Sequence, residues 1–173
     1  MNKSRKIAFA GLLGALALVF AYVEGLLPPL PMMPPGAKPG LSNIVTMLAA
    51  GTMGLPYAIF IVLIKGAFAL LTRGAIAGAM SLAGGILSAV AAWIILTKTK
   101  ISFVTTGIIC AVFHNIGQLI VAYFLTSTGI LYYIPALLFF GICSGIATGL
   151  LLKLVYGRTD RIIKEINRGS KKL

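Results

Sequence analysis

The chain has 173 residues, 59% of them hydrophobic and 10% charged, with a formal net charge of +12 at pH 7 and a mean hydropathy of +1.02. Soluble domains carry about 25% charged residues, and a fold of this size keeps too much surface in water to hide so many apolar side chains, so a soluble globular domain is excluded. A nucleic-acid-binding module is excluded too: twelve of the fifteen Lys and Arg fall in three polar segments, Lys3–Lys6, Lys98–Lys100 and Lys153–Lys172, separated by long runs nearly free of charge, which is the positive-inside pattern of a polytopic membrane protein.

The first apolar run, Ile7–Leu27, has the roughly 20 residues needed to cross hydrocarbon. Its basic start resembles a signal peptide, but the chain beyond is equally apolar, so the run is read as an uncleaved first span. Between Pro28 and Pro39 stand six prolines, which deny backbone donors and fix φ; a stiff, non-helical loop is predicted. Leu41–Leu55 is apolar but only about 22 Å long if fully helical. Such a second span tilts little, thins the membrane or is partly re-entrant. Gly54-Leu55-Pro56 predicts a tight turn. Tyr57–Thr72 is a third span, interrupted by Lys65 and closed by Arg73, and Ala75–Thr97 is a fourth, with Lys98 and Lys100 at its cytoplasmic end. Ile101–Leu152 carries no formal charge; it is too long for one helix and splits at Thr126-Ser127-Thr128-Gly129 into spans five and six.

The expectation is an all-α integral membrane protein of the cell membrane, with six transmembrane helices in residues 1–156 and both termini cytoplasmic. Tyr22, Tyr123, Tyr132 and Tyr133 on one side, with Tyr57, Trp93 and Tyr156 on the other, fit interfacial aromatic belts. In the tail, 157–173, Asp160/Lys164 and Arg161/Glu165 are spaced i,i+4, and Ile162, Ile163 and Ile166 share one side. A short basic amphipathic helix on the inner leaflet is predicted there.

Catalytic groups are scarce. No GxxxxGK[ST] run is present to cradle nucleotide phosphates. The only acids are Glu24, Asp160 and Glu165, too few and too scattered to hold Mg²⁺ for diphosphate chemistry. Cys110 and Cys143 lie in apolar runs without ligand spacing and are read as packing residues. No catalytic residue, metal site or cofactor is expected.

Polar residues inside a membrane are costly and face a cavity or a partner. With the amino terminus inside, Glu24, Lys38, Asn43 and Arg73 fall near the outer surface, and Lys65 in the outer half of span three. His114, Asn115 and Gln118 run from the middle of span five outward, with His114 and Gln118 on one face. An outward-open pocket formed by Lys38, Asn43, Arg73, His114, Asn115 and Gln118, roofed by the proline-rich loop hinged near Gly36 and Gly40, is therefore expected. Because cations outnumber the lone acid, its ligand is expected to be a small anionic or strongly hydrogen-bonding molecule. The alternative is mutual satisfaction: Glu24 with Lys65 or Arg73, and His114 with a backbone carbonyl.

Small-residue stripes let helices approach closely. Span four offers Ser81, Gly84, Gly85 and Ser88, and span six Gly141, Gly145 and Gly149, both read as internal packing. Span one has Ala10, Gly14, Ala17 and Ala21 on one stripe and Gly11 and Ala15 on the next.

Three blocks, Pro35-Gly36-Ala37-Lys38-Pro39-Gly40-Leu41-Ser42-Asn43-Ile44-Val45-Thr46, Ser81-Leu82-Ala83-Gly84-Gly85 and His114-Asn115-Ile116-Gly117-Gln118, resemble the signature of the Gx transporter family, also labelled heptaprenyl diphosphate synthase component I. Pro39 departs from that pattern, where a larger apolar residue is expected. The family is similar to the substrate-binding S components of energy-coupling factor (ECF) vitamin transporters. That resemblance implies a six-helix S-component-like fold, capture of a small micronutrient-like solute, and partnership with an ECF-type transmembrane subunit and two ATPase subunits. It implies docking through a small-residue motif in helix one, which Gly11-x-x-x-Ala15 fits. A non-catalytic membrane accessory subunit of isoprenoid, heptaprenyl diphosphate or quinone synthesis is the alternative function.

Overall fold

The structure, a computed structural model, describes residues 3–28, 32, 34–126 and 132–169. Six helices follow one another in them: α1 (Lys3–Leu26), α2 (Asn43–Thr52), α3 (Leu55–Arg73), α4 (Ala75–Lys98), α5 (Phe103–Thr126) and α6 (Ile134–Gly169). All except α2 are long and apolar enough to cross a membrane. The bundle is apolar outside and shelters polar side chains within: Leu71 is 84% exposed and Phe124 76%, whereas Glu24, Lys65 and His114 are at most 5% exposed. Water would not tolerate that surface, but lipid does. The chain is an all-α, multi-pass membrane protein.

The helix ends follow local chemistry. Pro56 occupies the first turn of α3, where its missing N–H costs nothing, and Gly54 makes the expected turn before it. Gly74 alone separates α3 from α4. Residues 127–129 of the expected break between spans five and six lie outside the described residues, as do Pro29, Pro31 and 170–173. The break is nonetheless bracketed by the end of α5 and the start of α6.

The second expected span is where the structure differs most. The ten residues of α2 give about 15 Å of helix, half the roughly 30 Å hydrocarbon thickness. Asn43 through Ala50 are all buried, and α1, α3, α4 and α6 pack around the helix. A helix apolar on every side is a core element. The neighbouring α3 covers about 28 Å, and the irregular chain 37–42 fills the length that α2 leaves open. Such backbone is tolerated among membrane helices only when protein surrounds and satisfies it.

The remaining contacts run α1 to α3, α3 to α4, α4 to α5 and α5 to α6. Glycine lets α5 approach both α4 and α6 closely. A Cβ on Gly117 would lie 2.5 Å from the Gly84 nitrogen, and one on Gly149 would lie 2.6 Å from the Phe103 carbonyl oxygen. The stripes on α4 and α6 therefore pack internally, Gly84 against Gly117 and Gly145 and Gly149 against Gly107, while Gly85 meets Val62 of α3. On α1, Ala10 and Ala17 are buried and Gly14 meets Ile64. Gly11, with nothing within 4 Å of a Cβ, and Ala15 are exposed.

Of the aromatic belts, Tyr22, Tyr123 and Tyr132 are exposed. Tyr156 instead turns inward: its hydroxyl donates to the Gly51 carbonyl (3.0 Å) and its ring lies 5.1 Å from that of Phe103. With Trp93 it packs on the apolar core, closing the bundle at the end opposite the 34–42 loop. The 36 residues of α6 span about 54 Å, so the helix projects well beyond the membrane, carrying the basic tail as its continuation. In that tail Ile162 is exposed and Ile163 buried, and the side chains of 164–169 lie outside the described set.

Candidate ligand-binding site

The last turn of α1 organises the site. Glu24 is buried, and one carboxylate oxygen accepts from the backbone N–H of Gly40 and of Leu41 (3.0 Å) while the other accepts from the Ser42 hydroxyl (3.2 Å). The first amides of α2 are used by the carbonyls of Gly40, Leu41 and Ser42, so these residues prefix α2 with a tight turn. Its leading N–H groups would be orphans without Glu24. A carboxylate at that positive end caps it from a distant helix.

The same loop is held from other sides. The Gln118 amide nitrogen donates to the Lys38 carbonyl (2.9 Å) and to His114 Nε2 (2.6 Å). The carbonyl fixes the amide orientation, and His114, accepting at Nε2, carries its proton on Nδ1. The Ser144 hydroxyl donates to the Pro39 carbonyl (3.0 Å). Gln118 lies eight residues before the end of α5 and Ser144 ten residues into α6, about 12 and 15 Å along each helix. The loop is thus level with the end of α1 but sunk between α5 and α6, which stand above it as a wall. Gly40, at φ +84°, needs the left-handed region, and a Cβ there would also strike Asn43 and His114. Gly36, at φ +87°, turns the chain against Ala77. Both expected hinge glycines therefore adopt backbone that other residues avoid.

Beneath the loop is a cavity of about 20 Å³, lined by Ala21, Glu24, Gly36, Lys38, Gly40, Ser42, Lys65, Arg73, Ala77, Ser81, His114 and Gln118. That volume holds about one water. Lys38, Arg73, His114 and Gln118 of the expected set line it. Asn43 does not reach it directly; its Oδ1 accepts from Lys65 Nζ (2.7 Å) and steadies that lysine at the wall. Asn115 is turned away from it: its Nδ2 donates to the Leu137 carbonyl (2.6 Å) and ties α5 to α6.

Charge in the cavity is unbalanced. Lys38, Lys65 and Arg73 face one carboxylate, and that carboxylate is occupied by backbone amides and a serine. Arg73 Nη1 and Gln118 Oε1 are buried without partners, although buried polar atoms are nearly always paired. Lys38 Nζ reaches out to the Leu27 carbonyl (2.7 Å). Burial, and then the Arg73 guanidinium, hold its ammonium below its ordinary pKa, while Glu24 pulls the other way. Mutual satisfaction thus takes another form than the sequence suggests: Glu24 serves the loop, and His114 pairs with Gln118.

Glu24, Lys65, Ser42 and Ser81 belong to this site beside the expected residues. Glu24 and Lys65 were legible as intramembrane charges; Ser42 and Ser81 stand in two of the matched blocks, but their residue type alone did not separate them from helix-packing residues.

No curated protein matches the chain in sequence. Its fold is similar to that of the S component of a bacterial ECF transporter, with a TM-score of 0.73 over 94% of this chain and 99% of that one, at 22% identity. The family described as heptaprenyl diphosphate synthase component I matches residues 13–155, a stretch that contains the capping glutamate, the loop, α2 and every residue lining the cavity. The chain belongs to that family.

Proposed function

We propose that the protein is the solute-binding membrane subunit of an ECF-type transporter and binds a small anionic micronutrient-like solute in the cavity beneath the 36–42 loop. The observation that carries this reading is the unpartnered Arg73 guanidinium nitrogen beside Lys38 and Lys65. A buried guanidinium nitrogen left without an acceptor is costly, and an anionic ligand group that accepts from it removes that cost. The present cavity is too small for a whole solute, so the loop swings about Gly36 and Gly40 to admit it and closes afterwards. The segregation of basic residues supports cytoplasmic termini and a pocket facing out. The family's synthase name fits less well, because Glu24, the one acid within the spans, is committed to backbone amides.

Mass spectrometry of molecules released on denaturing the purified protein tests this. A small anion should co-purify with the wild type. Arg73→Ala should weaken its binding by about 10- to 150-fold, the loss of one charge-assisted hydrogen bond worth about 1.5–3 kcal/mol. Unchanged affinity with a lower melting temperature would make Arg73 a structural residue.

Energy for uptake comes, on this reading, from an ECF-type transmembrane subunit and ATPases. The exposed Gly11 and Ala15 supply a flat stripe on α1 where a partner helix approaches closely. Ala15→Trp should abolish co-purification with those subunits while leaving the melting temperature of the isolated protein unchanged. Retained association would take α1 out of the interface.

A further inference from the structure

The cavity's charge and its donor geometry narrow the ligand class, an inference that rests on the binding-site reading above. Three cations face one carboxylate, leaving two positive charges uncompensated. The Glu24 carboxylate has no role left for a ligand, since the Gly40 and Leu41 amides and the Ser42 hydroxyl use it. Uncompensated charge at a partly buried site within a membrane bundle is expensive. A carboxylate ligand would cancel one of the two charges; a phosphate monoester, at −1.5 to −2 near neutral pH, cancels both.

Geometry agrees with charge. The donors come from different levels: Lys38 on the loop, Arg73 at the end of α3, and Lys65 two turns below Arg73 on the same helix, its Nζ anchored to Asn43. A planar carboxylate offers two oxygens. A terminal phosphoryl group offers three, spread as a tripod, and a guanidinium binds one edge of that tripod in bidentate fashion.

We propose that the site selects a phosphate monoester, with its terminal phosphoryl group held by Lys38, Lys65 and Arg73 and its organic part extending toward the wall of α5 and α6. Lipid headgroups present a related but different chemistry, a phosphodiester with a single negative charge, which the site discriminates against by the same count.

Calorimetric titration of the full-length protein in nanodiscs of neutral lipid tests this with three probes: phenyl phosphate, its methyl diester and benzoate. Phenyl phosphate should bind about tenfold or more tightly than either monoanion, and Arg73→Gln and Lys38→Gln should each reduce its affinity by about tenfold or more. Both variants sit at partly exposed positions, and an unchanged melting temperature confirms that they fold. Benzoate binding as tightly as phenyl phosphate, still weakened by Arg73→Gln, overturns the monoester class and leaves the site in place. Equal binding of the methyl diester overturns it in favour of a lipid headgroup. Phenyl phosphate affinity that is indifferent to both substitutions overturns the class and the site together, and no binding of phenyl phosphate overturns the class.

Discussion

Glu24→Ala is expected to destabilise the protein by about 3–5 kcal/mol, the cost of removing one partner from a buried charged network. The substitution strips the acceptor from the Gly40 and Leu41 amides and the Ser42 hydroxyl. It also leaves Lys38, Lys65 and Arg73 without any acid to offset them. The loop would then be held by Gln118, Ser144 and the contact of Lys38 with the Leu27 carbonyl. Reversible unfolding in mixed detergent micelles should report the loss, and limited proteolysis should cut within 36–42 in the variant but not in the wild type. Glu24→Gln keeps the shape and one acceptor oxygen, so its cost should be smaller, about 1.5–3 kcal/mol. Should Glu24→Ala unfold within about 0.5 kcal/mol of the wild type, the level of an inconsequential surface change, the cap would be incidental to the fold.

Gly107→Ala and Gly11→Ala make the same chemical change on two apolar helices and should have opposite signs. A Cβ on Gly107 would strike the Gly145 carbonyl oxygen and lie 2.7 Å from the Gly149 nitrogen. These are backbone atoms of a packed helix and have no rotamer to escape into. Prying α5 from α6 should cost about 3 kcal/mol, the upper end of ordinary overpacking, or prevent assembly altogether. At Gly11 a Cβ meets nothing within 4 Å, so alanine there should be neutral or stabilise the helix by up to about 1 kcal/mol through propensity alone. Melting temperatures of the two variants in one detergent decide it. Equal shifts would mean that the close approach of α5 and α6 is relaxed in solution.

These two cases also mark what the sequence determined and what it left to the tertiary structure. Hydropathy and charge segregation located α1, α3, α4 and α5 to within a few residues, and the membrane part of α6, because the transfer cost of a side chain into hydrocarbon depends on the residue and not on its neighbours; that α6 runs on unbroken to Gly169 was not legible. Pro56 and Gly54 marked a turn for the same local reason. Helix over 157–169 was legible in the spacing of Asp160, Lys164, Arg161 and Glu165, although it continues α6 and is not the separate short helix expected.

Other assignments depended on partners far along the chain. Leu41–Leu55 is apolar enough for a span, yet only the packing of α1, α3, α4 and α6 around α2 shows it to be a buried half-length helix. Asn115 stands one residue from His114, but its amide finds the Leu137 carbonyl on α6 while His114 and Gln118 line the cavity. Glu24 looked like an ion-pair partner for Lys65 or Arg73. It became a cap because the chain returns sixteen residues later with two free N–H groups aimed at it. Gly107 resembled any other glycine of an apolar run until a second helix lay against it. Burial in lipid is a property of one residue at a time, whereas hydrogen-bond pairing and close packing belong to two, and only the folded chain says which two.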